Sequence, residues 1–397
     1  MKVFQINSVC GVGSTGRIVC DIKERLEADD NKCQVAYGRG YYENPDCIKI
    51  ESDLVFKAHV FFSRITDRQG FYSTSATKRL VRSIEHFKPD IIHLHNIHGY
   101  YLDIRVLFEF LKQYNKPVVW TLHDCWAFTG HCAYFSFVNC DKWKTGCGGC
   151  PQKSAYPASY ILDDSKKSFL EKKRLFTGVE NMNIVTPSNW LADLAKESFL
   201  GDFPILTINN GIDLSVFKPV ESKFKEKHHL HGKKIVLGIA NVWEKRKGLD
   251  DFITLSKLLP DDYKIILVGL TEKQIAALPS NIMGITRTAN INELVELYSA
   301  ADVFANPTKE DNFPTVNIEA IACGTPVVTY NTGGSGEMLN EKCGIVVESG
   351  DVNALAKAIC KINLNSEDCV AKALEFEKNK QYNLYLELYK NLLNSGC

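Results

Sequence analysis

The stretch Ala300–Leu339, AADVFANPTKEDNFPTVNIEAIACGTPVVTYNTGGSGEML, decides how the rest of the chain is read. Its short apolar run, Asp302–Ala305, reads as a buried strand, stopped by Asn306 and Pro307. A polar loop with Glu310 beside Asp311 follows. Phe313 and Pro314 then lead into a helix-like run that carries Glu319, eight residues after Asp311. Gly324-Thr325-Pro326 turns the chain into a second strand, Pro326–Tyr330, which ends at Gly333-Gly334. In a parallel sheet both loops lie at the carboxyl edge, where open α/β sheets bind ligands. A helix N-terminus beside a carboxylate pair suits a phosphorylated sugar: backbone N–H groups take the phosphate and carboxylates accept from hydroxyls.

Outward from this stretch the second half repeats an α/β pattern. Strands are expected at Lys234–Ala240, Tyr263–Val268, Ile282–Ile285 and Ile345–Val347, and helices at Gly248–Leu259, Ile291–Ala300, Val352–Ile362 and Val370–Leu393. The loop Asn241–Lys247 brings three successive cations, Lys245, Arg246 and Lys247. The first half opens the same way. Lys2–Ile6 reads as a buried strand running into a glycine loop, Gly11–Arg17, with Gly13 and Gly16, and Ile18, Val19, Ile22 and Leu26 then share one helical face. Such a loop is a phosphate cradle or simply a tight turn. Cys33–Tyr37 is a second strand, and Asp53–Glu85 has a helical pattern. Strands at Pro89–His95 and Val118–Asp124 end in His95, Asn96, His98 and in His123 and Asp124, which makes a polar binding edge. Metal ligation by His95, His98 and His123 is conceivable, but no helix-borne histidine pair supports it. Glu221–Gly232, charged and without a core pattern, reads as an interdomain linker. Two such halves point to an α/β protein of two Rossmann-like domains with a cleft between them.

At 397 residues the chain has room for two or three domains. A formal net charge of +0 argues against a nucleic-acid-coating protein. No apolar run is long enough to span a bilayer, and Met1–Ile6 reads as a first strand rather than a signal peptide because Asn7 and Ser8 end it. The fourteen cysteines are mostly scattered in apolar segments, consistent with reduced thiols in a cytoplasm. Cys132, Cys140, Cys147 and Cys150 are different: they crowd one loop-rich stretch, HCAYFSFVNCDKWKTGCGGC, and could hold a structural zinc, the alternatives being free thiols or disulfides. The helix-like Leu170–Phe176, with Lys172, Lys173 and Arg174 after Lys166 and Lys167, reads as a solvated face or as a contact for an anionic membrane or a phosphate-rich substrate.

These motifs together resemble the retaining GT-B glycosyltransferases of family 4, the glycosyltransferase group 1 type, over nearly the whole chain. The carriers are Trp243–Gly248, Glu310–Pro314 with Glu319-Ala320, Gly324–Val328 and Gly333-Gly334, joined by the Gly13–Arg17 loop, Thr121–Asp124, Asn210–Asp213 and Phe217–Pro219. HLHNIHGYY with TLHDCWAFTGHC is similar to the branch found in bacterial surface-polysaccharide clusters.

The resemblance implies a GT-B fold, two Rossmann-like domains facing across a central cleft. It divides the chain into an acceptor-side domain over 1–220, a linker over 221–232, a nucleotide-sugar domain over 233–378 and a C-terminal helix over 379–397 that packs back on the first domain. Glu319 matches the second glutamate of the family's E-x7-E and takes the ribose hydroxyls. The first glutamate falls on Asp311, a methylene shorter, so the donor sugar is met by Asp311 or by Glu310. Asn312, Phe313, Pro314, Thr315 and Val316 present the loop and helix start to sugar and diphosphate. Lys247 matches the phosphate lysine, and Arg246 or Lys245 replaces the family's arginine, whose position falls near Val242. His123 matches the histidine facing the donor sugar, Gly13 and Gly16 line the diphosphate, and His95, Asn96 and His98 stand on the acceptor side.

The implied reaction moves a hexosyl group with retention from a UDP- or GDP-sugar to a saccharide or lipid-linked oligosaccharide hydroxyl, in capsule, exopolysaccharide or O-antigen synthesis. No cofactor is required for catalysis, and no acidic D-x-D motif for a divalent ion is present. The expected location is cytoplasmic, peripheral at the inner face of the plasma membrane. The alternatives are a GT-B nucleotide-sugar 2-epimerase, a phosphorylase-like enzyme, and a sugar-binding homologue without catalysis.

Overall fold

Strand β1 (Lys2–Val9) is an inner strand of a seven-stranded parallel sheet, with Val3, Phe4 and Ile6 wholly buried. Its neighbours are β2 (Lys32–Arg39), β3 (Cys47–Lys49), β4 (Ile91–Leu94), β5 (Val118–Thr121), β6 (Met182–Thr186) and β7 (Ile205–Thr207). The spatial order is β3-β2-β1-β4-β5-β6-β7, every pair parallel. A second sheet is built from β8 (Lys234–Ile239), β9 (Tyr263–Val268), β10 (Ile282–Ile285), β11 (Val303–Asn306), β12 (Val327–Tyr330) and β13 (Gly344–Val347), in the order β10-β9-β8-β11-β12-β13. The chain described here, residues 1–395, is a computed structural model. It falls into two compact units, Met1–Asn209 with the chain from Gln381, and Asn210–Lys380.

Both sheets follow the doubly wound order, in which the winding reverses at the first strand. The reversal leaves a crevice at the carboxyl ends of β1 and β4 in one unit and of β8 and β11 in the other. Apolar runs without alternation are what a strand covered on both faces requires, and β4, β5, β11 and β12 are buried along their whole length.

Several boundaries differ from the sequence expectation. The segment 221–232 is not a linker: it lies inside the second unit, and the chain crosses between units at Asn209 and Asn210. Phe224 and Leu230 are enough to anchor it, since both are buried in that unit's core, and Lys225 pairs with Asp302 at 2.8 Å. The helical pattern of Asp53–Glu85 is two helices, Asp53–Thr66 and Thr74–Phe87, broken where Asp67 and Ser73 adopt left-handed backbone. Val370–Leu393 is likewise divided into Ser366–Ala373, a short turn and Lys378–Asn394. The last helix does pack on the first unit: Tyr389 Oη lies 2.7 Å from His93 Nδ1 and Tyr385 Oη 3.1 Å from Thr121 Oγ1. Lys172, expected on a solvated face, is buried, donating to the carbonyls of Trp126 (2.8 Å) and Thr129 (3.1 Å).

Candidate active site

In the second unit the crevice between β8 and β11 gathers the cations and carboxylates of the opening motif. The turn Lys245–Lys247 follows β8, and Gly248 then takes φ +76° with its Cα facing the Pro307 carbonyl; a Cβ there would stand 2.3 Å from that oxygen. Only glycine lets the two loops approach this closely. The Lys309 N–H donates to the Arg246 carbonyl at 2.6 Å, and the Arg246 guanidinium donates to the Glu310 carbonyl at 3.0 Å. Lys247 Nζ forms an ion pair with Asp311 Oδ2. Burial works against the Asp311 charge, but Lys247 and Arg246 hold its carboxyl below the usual carboxylate range. Asp311 is only half-buried, whereas Glu310 is wholly buried. Of the two acidic candidates, Asp311 therefore stands at the surface of the crevice.

The loop from β11 ends at Pro314, and the helix Thr315–Ala322 starts beside these charges, with Thr315 and Val316 half-exposed. Phe313 is buried against Phe376, so its side chain serves packing. Asn312 is buried, its N–H donating to Asp311 Oδ1 at 3.0 Å. Asn317 locks the helix to the sheet: Asn306 Nδ2 donates to its Oδ1 at 2.8 Å, and it donates to the Ser335 carbonyl at 3.0 Å. Glu319 is buried and accepts from the Tyr298 hydroxyl at 2.9 Å. Lys245 is exposed.

In the first unit the edge of β4 and β5 holds a chain of imidazoles. Gln5 donates its amide N–H to the Val19 carbonyl at 3.0 Å, which leaves its oxygen facing His95 Nε2, also at 3.0 Å. His95 must donate there, so its Nδ1 accepts from His123 Nε2 at 3.1 Å. In neutral His123 the remaining ring nitrogen, Nδ1, is then the acceptor. Burial pushes the His123 pKa down to about 4 and the His95 pKa well below its usual value, so both are neutral at pH 7. His95 is buried with both nitrogens engaged. It orients His123 rather than meeting an acceptor itself. Asn96 is half-buried and receives the Tyr101 hydroxyl on its carbonyl at 2.8 Å.

His98 pairs with Asp124 at 2.9 Å and with the Tyr156 hydroxyl at 3.1 Å. Burial raises the Asp124 pKa, but His98 and the Trp126 N–H outweigh it and hold the group ionised. In the glycine loop Gly13 is exposed at φ +66°, while Gly16 is buried with its carbonyl accepting from Gly11 N at 3.1 Å. Gly13 faces solvent and Gly16 serves the turn.

The sequence of residues 15–216 matches the family described as Glycosyltransferase Family 4, and residues 220–393 match Glycosyl transferases group 1. The chain belongs to glycosyltransferase family 4. One relative, a protein of Escherichia coli (strain K12) described as the colanic acid biosynthesis glycosyl transferase WcaC, is 24% identical over 373 residues, covering 90% of both chains. Another, the N,N'-diacetylbacillosaminyl-diphospho-undecaprenol alpha-1,3-N-acetylgalactosaminyltransferase of Campylobacter jejuni, is 27% identical over 263 residues, 60% of this chain and 69% of that one. Among solved structures, the sucrose-phosphate synthase of Thermosynechococcus elongatus superposes with a TM-score of 0.72 at 18% identity over 100% of both chains. The two parallel Rossmann-like sheets of this family 4 chain are those of the GT-B class.

Two site residues, Tyr156 and Tyr298, and one pairing, Asp124 with His98, escaped the sequence reading of this glycosyltransferase. Asp124 and Tyr156 were not linked to His98, because the partners are 26 and 58 residues away from it. Tyr298, the partner of Glu319, looked like one more apolar residue of the helix Ile291–Ala300. The four cysteines 132, 140, 147 and 150 do come together, lining one small cavity with His131, Phe135 and Trp143.

Proposed function

We propose that this family 4 chain moves a hexosyl group, with retention, from a UDP- or GDP-sugar to a hydroxyl of a lipid-linked saccharide in surface-polysaccharide synthesis. The observation that carries the reading is the Lys247–Asp311 ion pair, set with Arg246 at the β8/β11 crevice beside the helix that starts at Thr315. A diphosphate entering that crevice competes with Asp311 for Lys247. The carboxylate so released accepts from donor-sugar hydroxyls, while Lys247, Arg246 and the helix N-terminus take the charge that grows on the leaving oxygen. Fixed cations do this without reorganising, so no divalent ion is needed in the scheme. Glu319, steadied by Tyr298, accepts from the ribose hydroxyls. In the retaining course the departing phosphate takes the acceptor proton on the same face. His98 and Asp124 stand on the acceptor side.

A lipid-borne acceptor is supported by an apolar patch on the first unit. Leu54, Phe61 and Phe62 on the helix Asp53–Thr66 are 78%, 60% and 49% exposed. Tyr160 and Ile161 are 63% and 62% exposed, and the Tyr160 N–H donates to the Arg64 carbonyl at 2.7 Å. Arg64, Lys57 and the exposed Lys166 and Lys167 add the cations that anionic headgroups attract. The acceptor named for the Campylobacter jejuni relative, a diphospho-undecaprenol, has the same chemistry.

The test is a panel of UDP-, GDP-, ADP- and dTDP-sugars. The true donor raises the thermal midpoint by mass action and releases its nucleoside diphosphate when a lipid-linked saccharide is added. Failure of every nucleotide sugar to protect the protein sinks the donor assignment. Conversion of donor to an epimer without an acceptor makes the enzyme an epimerase instead.

A further inference from the structure

We infer that the loop following β5 binds a divalent ion of the zinc class through the thiolates of Cys132, Cys140, Cys147 and Cys150. This assignment is independent of the transfer reaction. From Leu122 to Asp164 the chain has only the short turns Trp126–Phe128 and Ser136–Val138 and one helical turn, Lys142–Thr145. Beyond the core residues Trp126, Phe128, Phe135 and Trp143, a metal clip across a segment of that length removes much of the freedom of the unfolded loop.

The four thiols sit where such a clip belongs. All line one cavity, floored by Phe135 and Trp143, whose rings are 5.1 Å apart. The Gly148-Gly149 turn between Cys147 and Cys150, with Gly149 at φ +58°, directs both of those side chains to the cavity. The Gly130 N–H donates to Cys147 Sγ at 3.1 Å, the backbone N–H to sulfur bond that stabilises a thiolate.

Two further observations point to a cation here. His131 lines the same cavity, is 3% exposed, and its Nε2 is buried with no hydrogen-bond partner, while its Nδ1 is held by Asp67. With Nδ1 held by Asp67, Nε2 is a buried polar atom left over beside the thiols, a group that a metal–thiolate centre can satisfy from its outer shell. Second, the Lys172 ammonium is buried over the Trp126 ring, 3.3 Å from its centroid, within electrostatic reach of Cys147 and Cys132. Four thiolates around a divalent ion carry a net negative charge, and this ammonium offsets it.

The thiols are not gathered at coordination distance: among the described residues no three His, Cys, Asp or Glu side chains already form a metal-holding group. Zinc–sulfur bonds of about 2.3 Å require them to draw in around one centre, each thiol releasing its proton to water. The Cys125 N–H donates to the Ala133 carbonyl at 3.1 Å, so tightening around Cys132 braces the turn that carries His123 and Asp124.

The test uses the full chain purified under reducing conditions. Elemental analysis is expected to find a single equivalent of zinc. Co2+ added to chelator-treated protein is expected to give the visible bands of tetrahedral thiolate coordination and to protect the 122–164 segment from proteolysis. C147S and C150S lose the metal, whereas C10S, at a buried thiol on the edge of β1, keeps it. Because the serine variants could misfold, thiol labelling of the wild-type protein gives a second measure, with four cysteines protected only when metal is present. Wild-type protein that takes up neither ion overturns the assignment. So does uptake unchanged in C147S and C150S, or a Cys132–Cys150 disulfide detected by intact mass without metal.

Discussion

At the residue scale the ion pair between Lys247 and Asp311 separates two roles that the adjacent acids 310 and 311 leave open. Glu310 is wholly buried and Asp311 is not, which supports the proposed exchange of the Asp311 lysine for a sugar hydroxyl. Lys247→Ala is expected to lower kcat about 100- to 1000-fold, the cost of removing a preorganised charge from the leaving group. Asp311→Asn is expected to lower it about 10- to 100-fold, one charged hydrogen bond. Both should keep the wild-type circular dichroism spectrum. Glu310→Gln is expected to lower the urea midpoint more than it lowers kcat. Steady-state kinetics beside urea melts check all three, and the reverse ordering of Asp311 and Glu310 would assign the sugar contact to Glu310.

At the element scale, the glycine that closes the β8 loop tests whether the site's geometry comes from backbone approach. Gly248 and Gly232 both have positive φ, +76° and +73°, but only at Gly248 does a Cβ meet a neighbour, the Pro307 carbonyl. Gly248→Ala should cost distinctly more than about 1 kcal/mol and raise the donor KM by displacing Lys247, whereas Gly232→Ala should show only the modest backbone strain. Equal urea midpoints for the two variants would mean the loops can part without loss. The elements around this site were legible because fully buried strands and glycine-proline turns are written locally: β11, the acidic loop and β12 stand where the apolar runs and turns put them. Tertiary decisions were not. The break at Asp67–Ser73 is marked only by the short polar run Asp67–Gly70, which the surface of a helix can also carry, and β3, Cys47–Lys49, is too short to carry a period at all. The charged run 221–232 reads as a linker until Phe224 and Leu230 are seen to reach a core. Lys172 reads as solvated because its carbonyl partners lie more than 40 residues earlier. The histidine edge announced itself, but which nitrogen of His123 is an acceptor follows only from the Gln5–His95 relay.

At the scale of the whole molecule the two units should respond differently to acid. The first unit buries His59, His93 and His95 and half-buries His123, and loss of solvation lowers all four pKa values, to about 3 for His59 and about 4 for His123. Unfolded histidine titrates near 6.5. Between that pH and about 4 the unfolded chain binds protons that the folded unit refuses, so stability falls as pH falls, by up to about 1.4 kcal/mol per pH unit for each such group. His131 works the other way: burial opposes its charge, but Asp67 raises its pKa above the usual value. Its contribution is therefore kept at low pH and fades as pH rises. One histidine against four leaves the acid loss dominant. In the second unit a lowered histidine pKa is seen at the half-buried His228, one group against four, while Asp213 and Asp311, lowered below the usual carboxylate value, matter only below about pH 4. Native-state hydrogen exchange at pH 7 and pH 5, corrected for intrinsic rates, should therefore show β4 and β5 losing protection while β8 and β11 keep theirs. Equal losses in both sheets would mean that the buried imidazoles do not set the acid limit. Protection retained throughout would mean that the folded first unit takes up the protons without cost, which the closed Gln5–His95–His123 relay forbids unless it opens first.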